Sequence, residues 1–207
     1  MTMSNMSGSS LYSLKQQSLS MAKDLSAATK TVTDAVTIYA NENESVSSML
    51  NKAQPTVLLS SASGMSASSS ADAIQGILNQ FNLSEDQAMH VADTVEKLSS
   101  EIALDFSKGC DTISQSIATS GSVVNEAGMS FEKYAALVST TAEKTRVSGS
   151  QIGNAFKTIF SRISRSKDGL TTDAEMSDAE AALKSVGVSV RGADGDLRDI
   201  SDTLDNL

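Results

Sequence analysis

Apolar residues recur every three or four positions along most of this chain, which is the spacing of one face of an α-helix. The longest regular run covers residues 11–52, where polar residues interrupt the apolar seam only at Ser18 and Glu42. The seam positions are Leu11, Leu14, Ser18, Met21, Leu25, Ala28, Val32, Ala35, Tyr39, Glu42, Val46 and Met49. We predict a long amphipathic helix of the coiled-coil type over 11–52. Its apolar face needs a cover, supplied either by another copy or by the chain's own domain.

The residues on either side of this helix have different patterns. Residues 1–10 are small and polar, and we expect a disordered leader there. From Pro55, which suits the first turn of a helix, shorter apolar stripes alternate with Gly and Ser positions. We predict an all-α fold, in which residues 55–207 form a multi-helix domain of helical hairpins. A short extended segment is expected near 186–190, which reads VGVSV.

Two serines mark helix starts with particular clarity. Ser84 is followed three residues later by Gln87, and Ser148 by Gln151. This spacing lets the two side chains satisfy free backbone N–H groups at a helix N-terminus. Residues 63–81 also align weakly with 145–163, with Ser66 at the position of Ser148. The alignment suggests two related helical hairpins.

The composition limits the classes of function. Tryptophan is absent and the formal net charge is −9, so we expect a thin aliphatic core and little affinity for nucleic acid. Cys110 is the single cysteine, which excludes an internal disulfide. No run of about 18 apolar residues occurs, so no membrane-spanning segment is predicted. The N-terminus lacks a basic end followed by an apolar core, so no signal peptide is expected.

The stretch TAEKTRVSGSQIGNAFKTIFSRISRS, residues 141–166, is the sharpest candidate for ligand chemistry. It has a Ser-Gly-Ser turn before an apolar stripe, as a phosphate-binding loop would. It lacks both the Gly-x-x-x-x-Gly-Lys-Ser/Thr and the Gly-x-Gly-x-x-Gly spacing. We interpret it as a capped structural helix.

The other chemical candidates are weak. They are His90, the only histidine; the Ser-x-x-Lys pairs Ser130/Lys133 and Ser164/Lys167; the thiol of Cys110; and the acidic turn with Asp194, Asp196 and Asp199. A catalytic serine needs a base and an orienting group that these patterns do not supply. The acidic turn lacks the order of an EF-hand. We predict no catalytic, cofactor or metal site and no enzymatic activity.

A basic group at 157–167, made of Lys157, Arg162, Arg165 and Lys167, interrupts the acidic chain. Positive charge suits a helix C-terminus. The group is interpreted as a solvated face, and contact with phosphate or an acidic partner is the alternative.

Two segments of the chain carry a resemblance to a known family. They are FEKYAALVSTTAEKTRVSGSQIGNAFKTIFSRI and AEAALKSVGVSVRGADGDLRDISDTLDNL. They resemble the core region of phage tail tape measure proteins, whose pattern falls here on Gly149, Ser150, Gln151, Ile152, Gly153, Phe160, Arg162, Ile163, Leu183, Lys184, Gly187, Val188, Gly195, Leu197, Arg198, Asp199, Asp202 and Leu204. The resemblance covers residues 36–207.

The resemblance implies a helical virion structural protein that lies in the tail lumen, sets the tail-tube length and leaves ahead of the DNA. The implied partners are tail-tube, tail-tip and tail-chaperone proteins, which the chain would meet in the host cytoplasm during assembly. Self-association through the N-terminal helix is also implied. Family members are usually far longer, so a fragment or prophage remnant with a C-terminally truncated core is expected. A non-enzymatic helical signalling or secreted module is the alternative.

Overall fold

Helices account for all regular secondary structure in the part of the chain that the computed structural model describes. That part is residues 7–40, 45–102 and 105–167, together with the helical residues 178, 180–182, 184 and 185. Its α-helices are α1 (Gly8–Asp24), α2 (Thr29–Ala40), α3 (Val46–Ser63), α4 (Ala67–Gln80), α5 (Ala88–Glu101), α6 (Phe106–Glu126), α7 (Phe131–Thr145) and α8 (Gly149–Lys167), with a 3-10 turn at Glu85–Gln87. The all-α prediction is confirmed. The extended segment predicted at 186–190 lies outside the described residues.

The predicted single helix over 11–52 is wrong, because this region contains α1, α2 and the first part of α3. The chain turns after α1, where Ser26 has a left-handed φ of 50°. The Ala27 N–H donates to the Ala22 carbonyl at 2.9 Å, which closes the helix end. The turn lets α2 fold back on α1, so the chain itself covers part of the seam. The seam residues that are buried are Leu14, Val32, Ala35, Tyr39 and Met49.

The expected disordered leader is also partly helical. Ser7 caps α1 by accepting a hydrogen bond from the Ser10 N–H at 3.2 Å. The serine hydroxyl satisfies a backbone donor that would otherwise lack a partner. The helix therefore begins at Gly8.

Pro55 lies inside α3 and does not start a helix. The N-cap of α3 is Ser45, whose hydroxyl accepts from the Ser48 N–H at 3.2 Å. A proline inside a helix removes one backbone hydrogen bond. Here Pro55 is buried beside Thr56 and Val57, so tertiary packing outweighs that loss. The predicted boundary at residue 55 falls within a continuous helix.

The buried side chains form two clusters. One consists of α1, α2 and α3 with the first turns of α4. The other extends from the end of α3 through α8 and contains all the buried phenylalanines of the described residues. Since α3 and α4 contribute to both clusters, they join the N-terminal helices to the larger core.

Tyr134 on α7 lies at the centre of the larger cluster. Its ring centroid is 5.7 Å from that of Phe156 and 6.4 Å from that of Phe160. Its hydroxyl hydrogen-bonds Ser116 Oγ at 3.2 Å and also bonds Ser120. Burial raises the pKa of Tyr134 to about 12, although both serine hydrogen bonds act to lower it. One tyrosine thus links α6, α7 and α8.

Candidate interaction surface

Residues 141–166, the sharpest candidate for ligand chemistry, contain the end of α7 and most of α8. Helix α8 packs against α6. The Ser148 N–H donates to Gln151 Oε1 at 3.1 Å, and the Gln151 N–H donates to Ser148 Oγ at 3.4 Å. This reciprocal pair confirms the predicted capping box. A Cβ added to Gly149 would lie 2.9 Å from Thr112 Cα, and one added to Gly153 would lie 2.7 Å from Thr119 Cβ. The absence of a side chain at these two glycines therefore allows α8 to pack closely against α6.

The predicted box at Ser84 is also present, with the Ser84 N–H donating to Gln87 Oε1 at 3.2 Å. Ser66 caps α4 as Ser148 caps α8, accepting from the Ser69 N–H at 3.0 Å. Both α4 and α8 pack against α6. The aligned serines thus have equivalent local roles, while the predicted duplication of hairpins stays a prediction.

His90 lies on the exposed side of α5 and pairs with α7. Its Nε2 is 2.8 Å from Glu132 Oε1, and its ring meets Phe131 edge-on at 6.5 Å between centroids. Burial raises the pKa of Glu132, but hydrogen bonds from His90, the backbone and Ser130 outweigh it and leave the pKa lowered. This pair is a surface contact between α5 and α7.

The structure gives the other chemical candidates ordinary surroundings. Ser130 caps α7 by accepting from the Lys133 N–H at 3.4 Å. Cys110 is buried on α6, and burial raises the pKa of its thiol, which disfavours the reactive thiolate. Ser164 is exposed. The side chain of Lys167 and the acidic turn at 194–199 are not among the parts of the chain that the structure describes. Within the described residues, no group of three or more His, Cys, Asp or Glu side chains is placed to hold a metal ion.

Lys52 on α3 is a buried charge that the sequence pattern does not reveal. Its side chain is 1% exposed, and its Nζ lies 3.8 Å from Glu85 Oε1. Nζ also donates to Gln75 Oε1 at 3.3 Å and lies 4.9 Å from the centroid of the Tyr39 ring. A buried ammonium requires such partners. Lys52 therefore links α2, α4 and the 3-10 turn through α3.

The basic group belongs to α8, and the side chains of Lys157, Arg162 and Arg165 are among those that the structure describes. Lys157 and Arg165 are exposed, and Arg162 is half-buried. Nearby, the apolar groove between α7 and α8, about 230 Å³ in volume, is lined by Val147, Ile152 and Phe156 and by Ala182 and Ser185 further along the chain. The chain itself therefore contributes to the cover of this groove.

A second apolar surface lies along α1. Leu11, Tyr12 and Leu19 are 38%, 66% and 43% exposed. Beside them, a groove of about 330 Å³ runs between α1 and α2. Its lining residues are Leu11, Leu14, Lys15, Ser18, Leu19, Thr29, Thr33 and Val36. Exposed apolar patches on soluble domains often mark contacts with other molecules, so this is the candidate interaction surface.

Comparison with known proteins identifies the class. The model of the family described as phage-related minor tail protein matches residues 15–207. The chain belongs to this family and is a phage tail structural protein.

Among curated proteins, the chain is 23% identical over 197 residues to the probable tape measure protein of Escherichia phage P2. That match covers 95% of this chain and 22% of the relative, so the chain spans about a fifth of the relative's length. No solved structure matches. None of the described helices is both long enough and apolar enough to cross a bilayer.

Proposed function

We propose that this chain is the core part of a tail tape measure protein, which templates the length of the tail tube and is ejected before the DNA. The family match over residues 15–207 is the observation that carries the proposal. The similarity to a probable tape measure protein over 95% of the chain supports it.

A helical chain suits a ruler because its length is proportional to its residue number, at about 1.5 Å per residue. The described residues form a bundle stabilised by side-chain packing rather than a single extended rod. We propose that this bundle is a fixed structural unit, and that the length is measured by helical sequence elsewhere in the whole protein.

The proposed role is non-enzymatic and depends on protein contacts. The partners are tail-tube, tail-tip and tail-chaperone proteins, together with further copies of the chain bound through its N-terminal helix. The protein would meet them in the host cytoplasm during assembly and reside in the tail lumen of the virion. A formal net charge of −9 disfavours specific binding to nucleic acid.

Tail length provides the test of templating. The gene is extended by codons for 40 helix-forming residues, placed outside the part that encodes residues 1–207. The tails should then be longer by about 60 Å. Electron microscopy of purified particles measures the length, and mass spectrometry before and after ejection follows the protein. A deletion of equal size should shorten the tail by the same amount.

The outcomes separate the parts of the proposal. Tails of unchanged length would contradict templating, while loss of tails in a null mutant would still support a structural role. Retention of the protein in particles that have released their DNA would contradict ejection.

A further inference from the structure

The groove between α7 and α8 carries apolar side chains that remain accessible at its edge. The buried Ile152, Phe156 and Ile159 line it. Two further lining residues are accessible, since Val147 is 39% exposed and Ala155 is also exposed. A side chain that enters this groove therefore meets carbon atoms rather than polar groups.

The threonines that line the groove make few polar demands on an occupant. Thr141 Oγ1 donates to the Leu137 carbonyl at 2.8 Å, and Thr145 Oγ1 donates to the Thr141 carbonyl at 2.7 Å. Because both hydroxyl protons are used within α7, the two side chains offer mainly their methyl groups to an occupant. The apolar face of a helix therefore fits the groove better than a polar ligand does.

Positive charge is concentrated in the part of the chain that forms this groove. Residues 141–167 contain six basic side chains and one acidic side chain, a net charge of 6 − 1 = +5. The whole chain carries −9, so the other residues sum to −14. Arg162 follows Ile159 by three residues and so continues the groove-lining face of α8, and Arg146 directly precedes the groove residue Val147. An apolar groove beside arginines favours an occupant that combines an apolar stripe with acidic side chains.

Residues 194–207 of the same chain have this combination. They contain five aspartates and one arginine, a net charge of −5 + 1 = −4. Their leucines and isoleucine recur at spacings of three, four and three residues, which is the apolar stripe of an amphipathic helix. These stripe residues are Leu197, Ile200, Leu204 and Leu207. A helix over 197–207 would be about 16 Å long, and the part of α8 that lines the groove, residues 151–159, is about 12 Å long.

The path of the chain brings this acidic segment within reach of the groove. Ser185 lines the groove, and Asp194 follows it by only nine residues, which extend to at most about 30 Å. We propose that residues 194–207 dock as an amphipathic helix in the α7–α8 groove of their own chain. The apolar stripe fills the groove, and the aspartates lie on the side of Arg162. This contact goes beyond the proposed function and does not depend on it.

Cleavage by trypsin after Arg198 tests the docking in the intact chain, because a docked segment is cut slowly. Ala155→Asp places a charge in the groove and should speed this cleavage at least about 10-fold. Ala136→Asp is the matched control, because Ala136 is also exposed and, at about 100° per residue, falls on the side of α7 opposite Thr141 and Thr145. Mass spectrometry follows the cleavage, and circular dichroism checks that both variants keep their helical content. Equal cleavage rates in the wild type and both variants would overturn the proposal.

A second pair of variants tests the contribution of charge. Arg162→Gln should speed cleavage after Arg198 about 3-fold, because a single ion pair near the surface contributes little. Lys157→Gln removes the same charge from the side of α8 opposite the groove and should leave the rate unchanged. Equal effects of the two substitutions would overturn the assignment of the segment to this groove.

Dilution distinguishes the chain's own segment from that of a second copy. At a fixed trypsin concentration, the rate constant for cleavage after Arg198 should not depend on the concentration of the chain. Protection that is lost on dilution would show that the groove is filled by the segment of another copy, and would overturn docking within one chain.

Discussion

Helices α1 and α8 are similar in length, with 17 and 19 residues, but they contact the rest of the chain in different ways. Helix α8 approaches α6 through Gly149 and Gly153 and buries large side chains such as Phe156. Helix α1 buries Leu14 and Ala22 and leaves two leucines and a tyrosine exposed. Among the described residues, α8 is therefore packed closely into the core, whereas α1 leaves part of its apolar surface exposed.

Substitution of two matched glycines, one in each helix, should give the largest difference in stability. Gly8 and Gly149 are each the first residue of a helix and each follows a capping serine. Gly149→Ala would force its Cβ against the backbone of Thr112, so we expect a loss of about 1–3 kcal/mol in the free energy of unfolding. Gly8→Ala meets nothing within 4 Å and should change stability by less than about 0.5 kcal/mol. Urea denaturation measures both, and equal losses would contradict the contrast.

The junction between the N-terminal helices and the larger core is tested at Lys52. Lys52→Ala removes a fully buried side chain together with its contacts to Gln75 and Glu85, and should cost about 2 kcal/mol. Lys52→Met keeps most of the volume without the charge and should cost less. Thermal unfolding gives the comparison. An alanine variant as stable as the wild type would mean that the junction does not depend on this residue.

Half-buried Glu96 on α5 should have a smaller, pH-dependent effect on stability. Burial, and then the charge of Asp93, raise its pKa, and its Oε1 is buried without a hydrogen-bond partner. Since the folded pKa lies above the unfolded one, stability should fall as pH rises from the unfolded value through the raised value. Glu96→Gln should therefore be more stable than the wild type at pH 7 and equal to it near pH 3. The exposed Glu101→Gln on the same helix is the control in pH-dependent denaturation.

Glu132 should have the smallest effect on stability, and the pH dependence of its contribution should be opposite in sign to that of Glu96. Its pKa is lowered, so the stability it contributes is present above the unfolded pKa and is lost as pH falls through the lowered value. The side chain is 47% exposed, so the contribution should be well under about 1 kcal/mol. Glu132→Gln should reduce the loss of stability in acid. An unchanged acid profile would show that the pair with His90 contributes nothing measurable.

Local signals in the sequence predicted the helical class and several helix starts. The Ser84 and Ser148 boxes depend on residues three positions apart, so they are visible without tertiary information. The periodicity over 11–52 included five positions that are buried, but it predicted one helix where the chain folds back, because periodicity does not say what covers an apolar face. The turn at Ser26 contains neither glycine nor proline, and so gave no signal that the helix ends.

The contacts that distinguish α8 from α1 were less predictable. A glycine at a helix start is typical of a cap or turn, and only the position of α6 shows that Gly149 and Gly153 permit a close approach. Lys52 occupies a position where a lysine is usually solvated, and its burial depends on residues 23 and 33 positions away. Tyr12 lay outside the predicted seam, so its exposure beside the α1 groove was missed.

The burial of Cys110 has a practical consequence for studying this fold. Its residue is 0% exposed and its thiol pKa is raised by burial, so it should react with aromatic disulfides only when α5 and α6 separate. No other thiol competes, because the chain has one cysteine. The rate at which this thiol is labelled therefore measures how often the interior of the purified chain opens, without any engineered cysteine.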